Sequence, residues 1–350
     1  MEAGGAQGAA VRNSRYFSSK GIDSSVVFLY TKRDIYVGED IISLAAAAPK
    51  NIVQLFSILA KLYRLIRSTK NAKVICYTHY ANVIGAFVSF VAGSRNIVVS
   101  HRNPVETYPK LCRVIDRIIG FTPIYHRCIC VSKTVVESFS HYPSKYRSKI
   151  RLVYNGVDTQ EYMSSSEDKK FEWIRDRAGD RLVLLSTGRL HPQKNQIVLL
   201  KAMVDVQDCF LVIAGEGELR PEFERFIKEN NLAGKVVLLG EIPPQDVSAF
   251  LKVGDVFLFP SNYEAFGFSV VEAMASALPI VCSDIPAMRE IVGETGILLD
   301  KDSPSAWSNV ISSLSRKRLK EMSYNSKERA KRYSLEEMAE QYLETLANAD

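Results

Sequence analysis

The sequence predicts an α/β protein built from two doubly wound, parallel-sheet domains. Three observations carry that reading. The 350 residues exceed what most single hydrophobic cores organise. From Leu182 onward, short apolar runs alternate with segments of helical period, the pattern of parallel strands joined by crossover helices. The stretch Asp255–Ala277 condenses one such unit. Its apolar run Val256–Phe259, ended by Pro260, reads as a buried parallel strand, and Ser261–Phe266 is turn chemistry. From Gly267, Val270, Val271, Met274 and Ala277 mark one face of a helix.

In chain order, the glycine pair Gly4-Gly5 comes first, where backbone amides could approach a phosphate, and a helix-like stretch follows. Ser24–Tyr30 reads as a strand. Asn51–Arg67 reads as a helix, because Val53, Phe56, Leu59, Leu62, Tyr63 and Ile66 recur at helical spacing. Lys50, Lys61, Arg64, Arg67 and Lys70 make its other face basic. Its apolar face is expected to cover a sheet, leaving only the basic edge free to touch lipid. Lys73–Tyr77 and Asn96–Ser100 are strands, the second ending at His101-Arg102-Asn103-Pro104, and ligands of open α/β sheets bind beyond such ends. His101 reads equally well as a ligand contact and as a loop histidine of no consequence; Arg102 and Asn103 are equally good candidates for ligand contacts. Lys110–Ile124, with Arg113, Arg117 and several large apolar residues, is a second candidate membrane or substrate edge. Cys128–Val131 and Ile150–Val153 are further strands. The turn Asn155-Gly-Val-Asp158 and the polar run Met163–Lys170 place a domain boundary near residue 160.

The second half alternates Leu182–Thr187, Gln193–Val204, Phe210–Ala214, Leu219–Asn230, Val236–Leu239 and Pro244–Lys252 as strand and helix in turn. Gly188-Arg189 ends the first strand, and Pro192 is expected at the first turn of the next helix with Lys194 beside it. Arg189 and Lys194 then converge on the mouth of the sheet, near the Gly267 helix. The first amides of that helix, at Gly267, Phe268 and Ser269, carry the positive end of its dipole and form an anion site. Glu264 in the preceding loop and Glu272 in the second helical turn flank it. Acceptor-only carboxylates beside a phosphate cradle suit a polyhydroxylated ligand. Tyr333–Asn348 reads as a final amphipathic helix.

Composition narrows the classes. Hydrophobic content of 47% with 24% charged residues is ordinary for a globular protein. The six cysteines sit in or beside apolar segments with no metal or redox spacing, which reads as buried reduced thiols and a cytoplasmic setting. No run spans a bilayer and no signal-peptide core opens the chain. Residues 1–160 hold 22 Lys and Arg against 9 Asp and Glu, a net of +13, whereas 161–350 hold 23 against 30, a net of −7. The first half is expected to meet an anionic surface or substrate. Without any nucleic-acid recognition pattern, an anionic membrane surface is the better candidate than nucleic acid.

Glu264, seven residues, Glu272, then Ala-Met-Ala and Leu278-Pro-Ile-Val-Cys-Ser-Asp284 resemble the donor-site signature of retaining glycosyltransferases with the two-domain GT-B fold, family 4 above all. The resemblance is dense from Leu182 onward and weaker between Gly4 and Asp158. It implies two Rossmann-like domains facing a cleft: 1–160 on the acceptor side, 161–332 for the donor, and 333–350 returning to brace the first. It also implies transfer of a sugar from a UDP- or GDP-sugar to a saccharide or lipid-linked acceptor, as in polysaccharide or glycolipid assembly, with retention at the anomeric carbon. The site it implies assigns Arg189 and Lys194 to the diphosphate, Glu264 to donor-sugar hydroxyls and Glu272 to the ribose. Gly188, Phe266, Gly267, Phe268 and Ser269 line the phosphate cradle, and Gly215-Glu216-Gly217 lies beside the base. His101 stands where many members carry a group that touches the donor sugar. Gly4-Gly5 resembles the glycine loop after the first strand of the acceptor domain. Only Met1–Ala3 precede it here, so that central strand is expected to be missing, through a misplaced start or a real truncation. No metal is expected, since the two cations already neutralise phosphate and no Asp-x-Asp pattern sits in the site. Rival readings are a sugar-nucleotide epimerase or phosphorylase on a related scaffold, and a non-catalytic partner subunit.

Overall fold

The computed structural model describes residues 5–31, 36, 38–163 and 169–347. Gly4 and most of the polar run after Met163 lie outside them. The chain forms two units, Met1–Gly156 with Leu335–Asp350, and Val157–Ser334.

In the first unit the helices are α1 (Gly5–Ser19), α2 (Ile52–Ser68), α3 (Ala86–Val91), α4 (Lys110–Phe121), α5 (Lys133–Ser138) and α6 (Ser144–Arg147). A π turn, Ala81–Gly85, runs into α3. Strands β1 (Val26–Phe28) and β2 (Ile41–Ser43) pair in parallel as one small sheet. Strands β3 (Val74–Cys76), β4 (Ile97–His101), β5 (Arg127–Cys130) and β6 (Ile150–Leu152) form a separate parallel sheet in that order. β4 is buried at every position. Because successive side chains alternate across a strand, Ile97, Val99, Cys128 and Cys130 enter one core cluster while Val98 and Ile129 enter another. A sheet covered on both faces requires such unbroken apolar runs.

One expectation is corrected here. The buried face of α2 is Ile58 and Leu62, while Val53, Phe56 and Tyr63 are exposed. The helix is apolar on two sides, and spacing alone does not say which side meets the sheet.

The second unit contains α7 (Thr159–Met163), α8 (Glu172–Ala178), β7 (Leu182–Thr187), α9 (Ile197–Ala202), β8 (Cys209–Ala214), α10 (Arg220–Glu229), β9 (Val236–Gly240) and α11 (Val247–Lys252). It continues with β10 (Val256–Phe259), α12 (Phe268–Ala275), β11 (Ile280–Ser283), α13 (Pro286–Val292), β12 (Ile297–Leu299), α14 (Pro304–Ser313) and α15 (Arg316–Ala330). Its six strands are all parallel in the order β12-β11-β10-β7-β8-β9. The first strand, β7, therefore lies beside the fourth, β10, and the winding reverses between them. Ligands of such sheets bind beyond the carboxyl ends at that reversal.

The last helix, α16 (Leu335–Ala347), belongs to the first unit. Met338, Ala339, Tyr342 and Leu346 recur on one face and join Phe17, Val98 and Ile129 in a single cluster. The Tyr342 hydroxyl shares a 2.9 Å hydrogen bond with Ser100 at the end of β4. Among the described residues no helix is long and apolar enough to cross a membrane.

Candidate active site

The reversal point of the second unit carries most of the residues singled out in the sequence. Beyond β7 the chain turns through Gly188, whose φ of +145° favours glycine. A Cβ there would meet the Lys194 methylenes at 3.2 Å. Arg189 follows, exposed and without an ion pair among the described residues. Residues after Arg189 form a turn closed by Lys194 N–H donating to the His191 carbonyl, and Asn195 takes a left-handed φ of +50°. The next helix therefore starts at Ile197, later than the Pro192 start expected from sequence. Gln196 contributes what spacing did not reveal. Its Nε2 donates to the carbonyls of Gly188 and Arg189 and ties the loop to the helix.

Lys194 folds back to Glu264 at 2.6 Å, with side chains only 19% and 11% exposed. Its ammonium also lies 4.9 Å above the Phe259 ring. The pair joins the loop after β7 to the loop after β10. Behind Glu264, Gly267 adopts φ +100° and ψ +61°, and an added Cβ would lie 2.6 Å from the Met288 Cε. Only glycine fits there. Val270 and Val271 N–H both return to the Gly267 carbonyl. The turn ahead of them starts α12, whose dipole directs positive potential outward at Phe268 and Ser269. Phe266 is buried edge-on against Phe268 and Tyr333, which fixes the entry to the helix. Glu272 is half-buried in the second turn of α12.

Glu216 sits after β8, engaged by Arg220 one helical turn on. Gly215 and Gly217 pack on the β7 loop so closely that a Cβ would lie 2.0 Å from the Gly188 carbonyl oxygen and 2.3 Å from that of Leu190. The structure thus gathers Gly188, Arg189, Lys194, Glu264 and the start of α12 at the ends of β7 and β10, with Glu216 just beyond the end of the neighbouring β8.

His101 is placed otherwise. It is fully buried in the first unit, so it is corrected from a ligand contact to a member of an internal network. Its Nδ1 pairs with the Tyr108 hydroxyl at 3.0 Å and its Nε2 with the Tyr146 hydroxyl at 2.9 Å. Tyr146 and Tyr125 both donate to Asp116, at 2.9 and 3.0 Å. Burial pushes His101 down to about 3 and Asp116 up to about 7. A neutral imidazole satisfies the chain: Tyr108 donates to Nδ1, and Nε2–H donates to Tyr146, whose own proton goes to Asp116. Nothing in the local sequence marks Asp116 and Tyr146 as partners of His101, because they come from α4 and α6. Arg102 is also buried, donating to Asn155 Oδ1 and lying over the Tyr77 ring, while Asn103 is exposed. Gly5 opens α1, and Gly4 lies outside the described residues.

Comparisons with known proteins meet this geometry from another side. The family model described as "Glycosyl transferases group 1" matches residues 167–333, and that described as "Glycosyltransferase Family 4" matches residues 3–161. An uncharacterized glycosyltransferase of Methanocaldococcus jannaschii is 32% identical over 48% of this chain and 45% of its own length. The GPI3 subunit of phosphatidylinositol N-acetylglucosaminyltransferase of Saccharomyces cerevisiae is 28% identical over 51% of this chain and 40% of its own. These matches span about half the length of the curated relatives or less. The crystal structure of Anabaena HepE with UDP and glucose superposes with a TM-score of 0.82, covering 99% of this chain and 96% of that one at 19% identity. That likeness concerns the fold.

Proposed function

The chain belongs with the GT-B glycosyltransferases and resembles family 4, and from that premise we propose that it moves a sugar from a nucleoside-diphosphate donor to a saccharide or lipid-linked acceptor, with retention at the anomeric carbon. The observation that carries this reading is the convergence of Arg189, the Lys194–Glu264 pair and the start of α12 at the reversal point of one sheet. As the glycosidic bond to the diphosphate breaks, negative charge grows on the leaving phosphate. Lys194, held by Glu264, and the amides of α12 are in place before that charge forms and Arg189 stands beside them, so together they favour the transition state over the bound donor. Glu264 orients the Lys194 ammonium and has a second oxygen with which to accept from donor-sugar hydroxyls. Glu272 takes the ribose and the Gly215–Gly217 loop takes the base. With two cations neutralising the diphosphate, turnover proceeds without a metal ion.

HepE has been solved with UDP and glucose, and the GPI3 subunit is named for transfer to phosphatidylinositol. The first supports a nucleotide-sugar donor here and the second a lipid-borne acceptor, while the net charge of +13 over residues 1–160 supports unit 1 resting on an anionic membrane surface. The test is an incubation with UDP- and GDP-sugars and a lipid acceptor pool, in EDTA, with the anomeric configuration of the product read by NMR. Transfer with retention is expected. An inverted product would overturn the mechanism; donor epimerised without transfer would overturn the activity.

A further inference from the structure

The surface of the first unit carries a feature that sugar transfer does not use. Of the sixteen large apolar side chains exposed among the described residues, eleven lie between Ile52 and Phe121, on three helical segments. On α2 they are Ile52, Val53, Phe56 and Tyr63. On the segment through the π turn and α3 they are Tyr80, Phe87 and Val91. On α4 they are Leu111, Val114, Ile118 and Phe121, spaced three, four and three residues apart, which is one continuous stripe. These segments are neighbours: α2 packs on α3, and the π turn packs on α4.

Each segment has a different face turned inward: Ile58 and Leu62 on α2, Ala86 and Ser89 on α3, Asp116 and Ile119 on α4. The fold is complete without the outward stripes. Side chains of this size carry roughly 150–250 Å² each. At exposures of 38% to 73% the eleven present on the order of 1,000 Å², against ~300–600 Å² for the largest patch on an ordinary monomer.

The charge around the patch identifies its partner. From residue 41 to residue 105 the sequence contains no Asp or Glu. The next two acidic residues are Glu106 and the buried Asp116. Lys50, Arg64 and Arg67 are exposed on and beside α2, as are Lys110 and Arg117 on α4. Lys145 lies 4.8 Å over the Phe121 ring, placing a cation at the end of the α4 stripe. A protein-binding surface of this extent would normally mix charges of both signs at its rim. An apolar face whose three helical segments expose cations and no acid, the one carboxylate on them (Asp116) being buried, is what an anionic bilayer selects.

We propose that α2, α3 and α4 form a membrane-seating surface whose apolar stripes enter the headgroup–acyl boundary of an anionic bilayer while the flanking Lys and Arg meet lipid phosphates. The inference rests on the lipid-facing part of the proposed function and changes its mode. Attachment by charge alone would vanish in salt, whereas inserted apolar side chains are not screened. Binding therefore has a salt-sensitive part and a salt-resistant part.

The experiment is sedimentation of the full chain with vesicles containing about 30% anionic lipid, at low salt and at about 1 M salt. Wild type is expected to bind at low salt and to retain measurable binding at high salt. The double variant Phe87→Glu, Ile118→Glu, at exposed positions, should bind at least about tenfold more weakly at both. Val204→Glu, exposed in the second unit, should bind as wild type does. An Ile118→Trp variant should gain, over wild type, fluorescence that brominated acyl chains quench. No binding by folded wild type, wild-type binding by the double variant, or no added quenching in the Ile118→Trp variant would each overturn the proposal. Sedimentation velocity should show monomer, and a dimer dissolved by the double variant would reassign the face to a second copy. UDP and GDP affinity measured in parallel separates failure of this surface from failure of the donor site.

Discussion

Arg189 and Lys194 stand five residues apart and face the same chemistry, yet their surroundings differ. Arg189 is exposed and holds nothing else in place, so Arg189→Ala should leave unfolding free energy within about 0.5 kcal/mol of wild type. Turnover should still fall by roughly 10²- to 10³-fold, as for loss of one preorganised charge-stabilising donor. Lys194→Ala should lose comparable turnover and also stability, because it strands the largely buried Glu264. Kinetics paired with denaturant unfolding check both; equal turnover to wild type in either variant would remove that residue from the diphosphate. Glu264→Gln should impair transfer more than it weakens binding of the free nucleoside diphosphate. At Gly267, alanine would pay about 1–2 kcal/mol for a left-handed φ, and must also displace the Met288 methyl. The placement of these residues around one loop cluster was legible because each follows a strand readable from the local sequence. His101 was not, because burial is a property of what packs around it; Tyr108, Tyr146 and Asp116 come from other elements.

The elements show the same division. β10 and α12 could be read from an apolar run, a proline and a glycine, all local signals. The start of α9 could not, since a left-handed Asn195 and the His191–Lys194 turn delay it. Nor could the inward face of α2, where both sides are apolar. The network that ties α4 to β4 and α6 yields a test of its own. Asp116 has a folded value of about 7, raised by burial above the usual 3.8. Between those values the native state binds more protons than the unfolded chain, so this group's contribution to stability is full below pH ~4 and is lost as pH rises towards 7. His101, lowered by burial, contributes with the opposite sign and loses stability as pH falls below ~6.5. Unfolding of wild type and Asp116→Asn from pH 4 to 8 isolates the carboxyl. Stability of wild type relative to the variant should decline up to pH ~7 and then level; a difference independent of pH would show that Asp116 does not titrate there.

At the scale of the molecule, two parallel-sheet α/β units and the opposite charge of the chain's two halves were legible from alternation and composition, though among the described residues only the second unit shows a strand reversal. The return of α16 to the first unit was expected only through the family resemblance. The division of the first unit into a two-stranded and a four-stranded sheet appears only in the structure. Pairing is long-range, and no local period states which strands lie side by side. The site of the second unit is the strand-reversal point that its sheet order creates, and everything proposed about transfer depends on a nucleoside diphosphate occupying it. Calorimetric titration of UDP and GDP into the full chain, in EDTA, is the most direct measurement. Saturable binding of one nucleotide is expected, weakened by about tenfold or more in Arg189→Ala, the loss of roughly 1.4 kcal/mol of a charge-assisted contact. A folded protein that binds neither nucleotide, or an Arg189→Ala variant that binds as tightly as wild type, would contradict the account.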